Sequence, residues 1–160
     1  MSDMPKVSII IGSKNDLPVA DKAVAVLKEF SITYDINVAS AHRTPKRVLD
    51  LVNESDADVF IAIAGMSAAL PGVIASFTIK PVIGVPVSGK LNFDSLLSVV
   101  QMPGGIPVAA VGLDRGDNAA LLAAEILALS DEGISQSLIQ YRQAQADKVL
   151  QDSDEVSEDV

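Results

Sequence analysis

Short apolar runs alternate with longer amphipathic segments along most of the chain. Runs rich in valine and isoleucine that end at glycine, proline or a polar cluster predict buried strands, and apolar residues that recur every three or four positions predict helices. The predicted strands cover 6–11, 33–40, 57–65, 81–87 and 106–113. The predicted helices cover 13–30, 44–55, 67–78, 92–102, 117–130 and 131–151. We expect the helix at 92–102 to be capped near Asn92 or Asp94.

The regular alternation of strands and helices predicts an α/β fold in three layers (α/β/α), with a parallel sheet and right-handed crossovers. Five strands suit a flavodoxin-like, doubly wound sheet, in which ligands bind beyond the carboxyl ends of the strands. No strand follows the last helix, so it is an extra C-terminal helix that covers its own sheet or packs on a neighbouring subunit. We expect one domain over 1–150, followed by an acidic, disordered tail at 151–160.

The amino-acid composition limits the kinds of molecule that this protein is expected to bind. The net charge is −9, and an acidic protein repels nucleic-acid backbones, so nucleic-acid binding is not expected. The chain has no cysteine and one histidine, His42, which argues against a zinc site and fits a reducing cytoplasm. No apolar run reaches the roughly 18 residues of a membrane span, and the N-terminal apolar run is too short for a signal peptide. We therefore expect a cytoplasmic protein without a metal or membrane partner.

Polar residues gather in the loops that follow the first three predicted strands. These loops are 12–16 (GSKND), 40–44 (SAHRT) and 64–72 (AGMSAALPG). Because parallel strands end at the same edge of a sheet, the three loops can converge on one ligand. A glycine turn before a helix N-terminus suits a phosphate, which Ser13, Ser40 and Arg43 can complete, and Asp16 can accept hydrogen bonds from ribose hydroxyls. The small residues at 64–69 let a planar base approach the backbone.

Each of these residues also has a plainer explanation. Ser13 and Asp16 are good helix caps, Arg43 can be a solvated surface charge, and a lone histidine is more often structural than catalytic. The glycine turns match neither a P-loop nor the dinucleotide-binding fingerprint. Taken together, the residues favour a site for a small phosphorylated molecule.

The order of several sequence blocks is more specific than any single loop. The blocks are GSKND, SAHRTP, AGMSAALPGV, KPVIGVPV, DSLLSVVQMPGGIPVAAV and NAALLAAEIL. Through them the chain, over roughly residues 5–150, resembles the N5-carboxyaminoimidazole ribonucleotide mutase / aminoimidazole ribonucleotide carboxylase family of purine biosynthesis. The resemblance implies a flavodoxin-like fold, a homo-octamer with active sites at subunit boundaries, and transfer of a carboxyl group onto C4 of aminoimidazole ribonucleotide without metal or organic cofactor.

The resemblance also assigns roles to residues. The histidine of the SAHR motif shuttles a proton in this family, so His42 would be the catalytic residue. Ser13, Ser40 and Arg43 would hold the 5′-phosphate and Asp16 the ribose, while the loop from Gly65 to Leu70 would line the base and carboxyl pocket. The implied substrate-binding residues are Ser13, Asp16, Ser40, Ala41, Arg43, Gly65, Met66, Ser67, Ala68 and Leu70.

Two departures from the family pattern bear on the reaction. Asn15 stands where the first loop commonly has serine, and Ala69 stands where bacterial mutases usually carry a second histidine. The pattern of Ser67 and Ala69-Leu70 is nearer the branch that uses CO2 directly. The mutase branch is favoured by Arg43-Thr44-Pro45, Leu70-Pro71-Gly72 and VIGVPV. We expect an N5-carboxyaminoimidazole ribonucleotide mutase. The alternatives are a CO2-using carboxylase and a non-catalytic nucleotide-binding protein of the same fold.

Overall fold

A computed structural model describes residues 6–158. The strands are β1 (Val7–Ile11), β2 (Tyr34–Val38), β3 (Val59–Ala64), β4 (Val82–Pro86) and β5 (Ala109–Ala110). The helices are α1 (Leu17–Glu29), α2 (Pro45–Glu54), α3 (Leu70–Phe77), α4 (Asn92–Val100), α5 (Gly116–Leu127) and α6 (Glu132–Glu158). A single 3₁₀ turn, Lys14–Asp16, precedes α1.

The strands form one parallel sheet in the order β2-β1-β3-β4-β5, which confirms the predicted flavodoxin-like, doubly wound arrangement. The chain passes from β1 to β2 on one side of the sheet and from β3 through β4 to β5 on the other, so the topological switch point lies between β1 and β3. At the carboxyl edge Ile11 is level with Ile63, and Ala64 is level with Pro86. The loops that follow β1, β3 and β4 therefore leave the sheet side by side, which is the position of ligand sites in such folds.

The sheet is buried on both faces because its central strands are almost entirely apolar. Ile10 and Phe60 lie in one core cluster with residues of α2, α3 and α4. Successive side chains of a strand point to opposite faces, so Ile9 and Ile61 face the other way, where α1 covers the sheet. The edge strand β2 is only partly buried, which agrees with its alternating sequence.

Several boundaries differ from the sequence prediction. β5 is limited to Ala109–Ala110 instead of 106–113; on its amino side, Pro107 has no amide hydrogen to pair. α3 begins at Leu70 rather than 67, since Ser67 adopts a left-handed backbone (φ 56°) that a helix excludes. α4 begins at Asn92, and neither Asn92 nor Asp94 caps it; their side chains accept hydrogen bonds from loop amides instead.

The C-terminal segment also differs from expectation. The sequence predicts a disordered tail from 151, but α6 continues to Glu158, with Gln151 donating to Glu155 one turn later. Residues 159 and 160 lie outside the described part of the chain. The described residues form two compact units, 6–123 and 124–158. Between residues 6 and 158, no helix is both long and apolar enough to span a membrane.

Candidate active site

A cavity of about 560 Å³ opens at the carboxyl edge of the sheet. All the residues that the sequence predicts for catalysis or substrate binding line it, so the three predicted loops do converge. Its full lining is Gly12, Ser13, Asn15, Asp16, Ser40, Ala41, His42, Arg43, Ala64, Gly65, Met66, Ser67, Ala68, Ala69, Leu70, Val87 and Ser88.

The first loop is organised by a reciprocal cap between Ser13 and Asp16. The Ser13 amide donates to Asp16 Oδ2 (2.9 Å) and the Ser13 hydroxyl donates to the same oxygen (3.2 Å). The Asn15 amide in turn donates to Ser13 Oγ (3.2 Å). The capping explanation for these residues is therefore correct, and it is compatible with a binding role because both residues also line the cavity.

The carboxyl group of Asp16 is buried, and burial affects its pKa. The residue is only 7% exposed, and desolvation raises its pKa, while the hydrogen bonds from Ser13 oppose that rise. Its second carboxylate oxygen, Oδ1, has no hydrogen-bond donor among the described residues. A ribose hydroxyl is a donor of the kind this oxygen lacks.

The second loop forms a compact turn between β2 and α2. The Ser40 amide donates to Thr44 Oγ1 (2.9 Å), and the Arg43 amide donates to Ser40 Oγ (3.2 Å). The Arg43 guanidinium reaches across to the first loop, where its terminal nitrogen lies 3.5 Å from the Gly12 carbonyl oxygen. The guanidinium is thus held at the junction of the two loops and remains exposed.

His42 lies at the top of this turn, on the cavity wall. Its side chain is exposed, and no hydrogen bond within residues 6–158 involves its imidazole. Both ring nitrogens are therefore available to a bound molecule. Imidazole is the side chain that general acid–base catalysis uses most often.

Positive charge is concentrated at one end of the cavity. A smaller pocket of about 350 Å³ shares Ser13, Ser40 and Arg43 with the cavity and adds Lys14 and Arg47. The Arg47 guanidinium is fixed by donating to the Val38 carbonyl oxygen (3.0 Å). In a chain of net charge −9, this local cluster of cations favours an anion such as a phosphate monoester.

The third loop, which follows β3, also lines the cavity. The Ala68 amide donates to the Gly65 carbonyl oxygen (2.9 Å), which closes a tight turn around Met66 and Ser67. The Ser67 amide donates to Asp94 Oδ2 (2.9 Å) at the start of α4. Within this loop Ala68 and Leu70 are buried, whereas Met66 is 90% exposed.

Sequence reasoning missed the contribution of the fourth strand. Ser88 follows β4 and lines the cavity; its amide donates to Asp114 Oδ1 (2.8 Å) and its hydroxyl donates to Asp114 Oδ2. Asp114 itself has a left-handed backbone (φ 59°) and lies beyond β5. Because these partners are 26 residues apart, only the sheet order shows that they meet.

Within residues 6–158, no three histidine, aspartate or glutamate side chains are placed to hold a metal ion. The polar groups of the cavity are hydroxyls, amides, one carboxylate, one guanidinium and one imidazole. Such a set can bind an anionic ribonucleotide and move a proton.

Comparisons with known proteins agree with this chemistry. A family model described as AIR carboxylase matches residues 6–148. A protein of Methanocaldococcus jannaschii named N5-carboxyaminoimidazole ribonucleotide mutase is 59% identical over 153 residues, covering 95% of this chain and 98% of its own length. One of Pyrococcus abyssi with the same name is 53% identical over 145 residues, covering 88% and 83%. The crystal structure of Treponema denticola PurE superposes with a TM-score of 0.85 at 35% identity, covering 94% of this chain and 98% of that one.

Proposed function

The chain belongs to the AIR carboxylase family, and we propose that it is the N5-carboxyaminoimidazole ribonucleotide mutase of de novo purine biosynthesis. The observation that carries the proposal is the convergence of three loops, including His42, on one cavity with a cationic end. The mutase names of similar proteins from Methanocaldococcus jannaschii and Pyrococcus abyssi support the choice of reaction.

The proposed substrate binding follows the charges of the cavity. Ser13, Ser40 and Arg43 hold the 5′-phosphate at the cationic end, and Asp16 accepts hydrogen bonds from the ribose hydroxyls. The loop from Gly65 to Leu70, with Ala41, surrounds the aminoimidazole and the migrating carboxyl group. This placement directs the base toward His42, which lines the same cavity.

The proposed reaction is an internal transfer in which one imidazole acts twice. Protonated His42 donates its proton to N5 as the bond between N5 and the carbamate carbon breaks, which releases CO2 and leaves neutral aminoimidazole ribonucleotide. C4 then attacks the trapped CO2, and neutral His42 removes the proton from C4, restoring the aromatic ring and the imidazolium. The proton is returned, so the net change is an isomerisation. Confinement is essential because CO2 that escapes is lost.

The proposal includes a homo-octamer with active sites at subunit boundaries, in the cytoplasm. Exposed apolar side chains support association: Met66 on the cavity lining is 90% exposed, and Leu91 and Phe93 at the start of α4 are 75% and 77% exposed. Together with Val87 and Ser95, Met66 and Leu91 line a mostly apolar cavity of about 470 Å³ next to the active site. Exposed apolar surface of this kind marks an interaction site, and a second subunit seated there would close the active site against water.

A second candidate is the carboxylase that takes CO2 directly. It is favoured by Ala69, which lines the cavity where bacterial mutases usually carry a second histidine. Without that second imidazole, the cavity has a single imidazole, that of His42. The two candidates differ only in the source of the carboxyl group.

A substrate-choice assay tests the proposal. Purified protein is given the N5-carbamate nucleotide, or aminoimidazole ribonucleotide with saturating bicarbonate, at matched nucleotide concentration and without ATP. We expect the C4 carboxylate to form faster from the carbamate. A clear preference for aminoimidazole ribonucleotide and CO2 would establish the carboxylase instead, and no product from either substrate would refute both.

A further inference from the structure

The sequence block DSLLSVVQMP, at 94–103, is the part of the family resemblance that the proposed reaction leaves without a role. Asp94 does not line the active-site cavity, yet its carboxylate accepts a hydrogen bond from the Ser67 amide (2.9 Å) within the third loop. We infer that Asp94 is a positioning residue, which holds the loop Gly65–Ala69 closed over the migrating carboxyl group. The inference rests on the proposed mutase reaction.

The hydrogen bond between the Ser67 amide and Asp94 is important because of the backbone conformation of Ser67. Its backbone is left-handed (φ 56°), a conformation that residues with a Cβ adopt at an energetic cost. Such a residue relaxes to the right-handed or extended region unless neighbouring groups hold it. In the third loop, the holding contacts are the turn closed by the Ala68 amide and the carboxylate of Asp94.

Asp94 can hold the loop because its own helix is firmly anchored. Ser95 and Val99 of α4 are 2% and 0% exposed, and the Ser95 hydroxyl donates to the Asn92 carbonyl oxygen (3.1 Å). Just beyond α4, the Met102 sulfur lies 3.1 Å from where a Cβ on Gly72 would stand. The 94–103 block therefore contacts the third loop through Asp94 and the following helix α3 through Met102.

The step of the proposed reaction that depends on this loop is the retention of CO2 in the cavity. After the bond from N5 to the carbamate carbon breaks, CO2 either reacts with C4 or leaves the cavity and mixes with bicarbonate in the medium. A loop freed at Ser67 opens the wall that surrounds this intermediate. Loss of Asp94 is therefore expected to uncouple carbamate cleavage from C4 carboxylation, with little effect on nucleotide binding at the distant phosphate end.

The experiment follows carbon exchange during turnover. Wild type, Asp94→Ala and Asp94→Asn convert unlabelled N5-carbamate nucleotide in medium containing ¹³C-bicarbonate, and mass spectrometry measures ¹³C in the product carboxyl group. Asp58→Ala is the matched control, because Asp58 is an exposed carboxylate beside the amino end of β3, at the opposite edge of the sheet. Hydrogen exchange at the Ser67 amide is measured on the same proteins.

We expect Asp94→Ala to lower kcat about tenfold and to leave KM within about twofold of the wild-type value. A tenfold change corresponds to the lower end of the contribution of a hydrogen bond to a charged group. Its product should contain several-fold more ¹³C than that of wild type or Asp58→Ala, and its Ser67 amide should exchange faster. Asp94→Asn, which keeps a neutral acceptor, should lie between. Wild-type label incorporation in Asp94→Ala, whatever its activity or melting temperature, would overturn the inference.

Failure of the proposed function is distinguishable from failure of this inference. If wild type does not turn over the carbamate, the mutase proposal fails and the positioning role in that reaction fails with it. The Ser67 exchange rate then still tests the contact itself: an unchanged rate in Asp94→Ala would show that the carboxylate does not hold the loop.

Discussion

Gly84, in the middle of β4, is a position where one methyl group should disturb both the fold and the site. A Cβ added there would lie 2.6 Å from Val99 Cγ1 on α4, 3.1 Å from Pro71 Cβ and 3.1 Å from Val108 Cγ1. Carbon atoms pack favourably at about 3.5–4.0 Å, so the closest approach is short by about 1 Å. The Cβ of Pro71, on α3, cannot rotate away because it belongs to a ring, and the overlap with Val99 is relieved only if α4 or the Val99 side chain moves.

The expected loss for Gly84→Ala is near the upper end of the range for overpacked cores, about 2–3 kcal/mol. For a chain of this size each kcal/mol lowers Tm by about 2–4 °C, which gives a fall of about 4–12 °C. Thermal unfolding followed by calorimetry or circular dichroism measures it. Gly104→Ala is the matched control, since a Cβ there would meet nothing within 4 Å and the backbone is not left-handed.

A second variant tests the cause of the instability. If overlap with Val99 is responsible, Val99→Ala combined with Gly84→Ala should be less destabilising than the sum of the two single variants, by about 1 kcal/mol. Strict additivity, or a Tm for Gly84→Ala equal to that of Gly104→Ala, would refute the reasoning. Because α4 carries Asp94, we also expect Gly84→Ala to lose activity at temperatures where it is fully folded.

Two further predictions concern the cavity. Burial raises the pKa of Asp16 above 3.8, so the folded state binds that proton more tightly than the unfolded state does. Wild type should therefore lose stability relative to Asp16→Asn as the pH rises from below 3.8 through the raised pKa. Urea titrations at several pH values measure this loss, and equal pH profiles for the two proteins would contradict the burial argument. Arg43→Lys should raise KM for the nucleotide about tenfold, because an ammonium cannot reproduce the guanidinium fork. Lys46→Gln, in the first turn of α2 and paired with Asp50, should leave KM unchanged. Equal KM values for the two variants would argue against a phosphate role for Arg43.

The sequence predicts the fold and the location of the site because both follow from periodicity. Alternating strand and helix patterns define a parallel sheet, and in a parallel sheet the loops after consecutive strands share one edge. That geometry alone brings His42 and Ser13 to the same cavity as Ser67. The roles of individual residues come from the family resemblance, and they remain predictions.

What the sequence does not predict depends on contacts between distant residues. Asp94 and Ser67 are 27 residues apart, and Ser88 and Asp114 are 26 apart, so no local pattern marks either pair. Aspartate near a helix start ordinarily suggests a cap, and here the carboxylate of Asp94 is used by a neighbouring loop instead. The helical course of 151–158 has a different, local cause: an acidic composition favours disorder, but a hydrogen bond between side chains four residues apart supports a continued helix.

The most direct test of the central claim is the turnover of His42→Asn with saturating N5-carbamate nucleotide. If one imidazole both donates and removes the proton, kcat should fall by about 10²–10⁴, the usual contribution of a general acid–base group, while the KM for the nucleotide stays within a few-fold of wild type. Formation of the C4 carboxylate at near wild-type rate by His42→Asn would contradict the account.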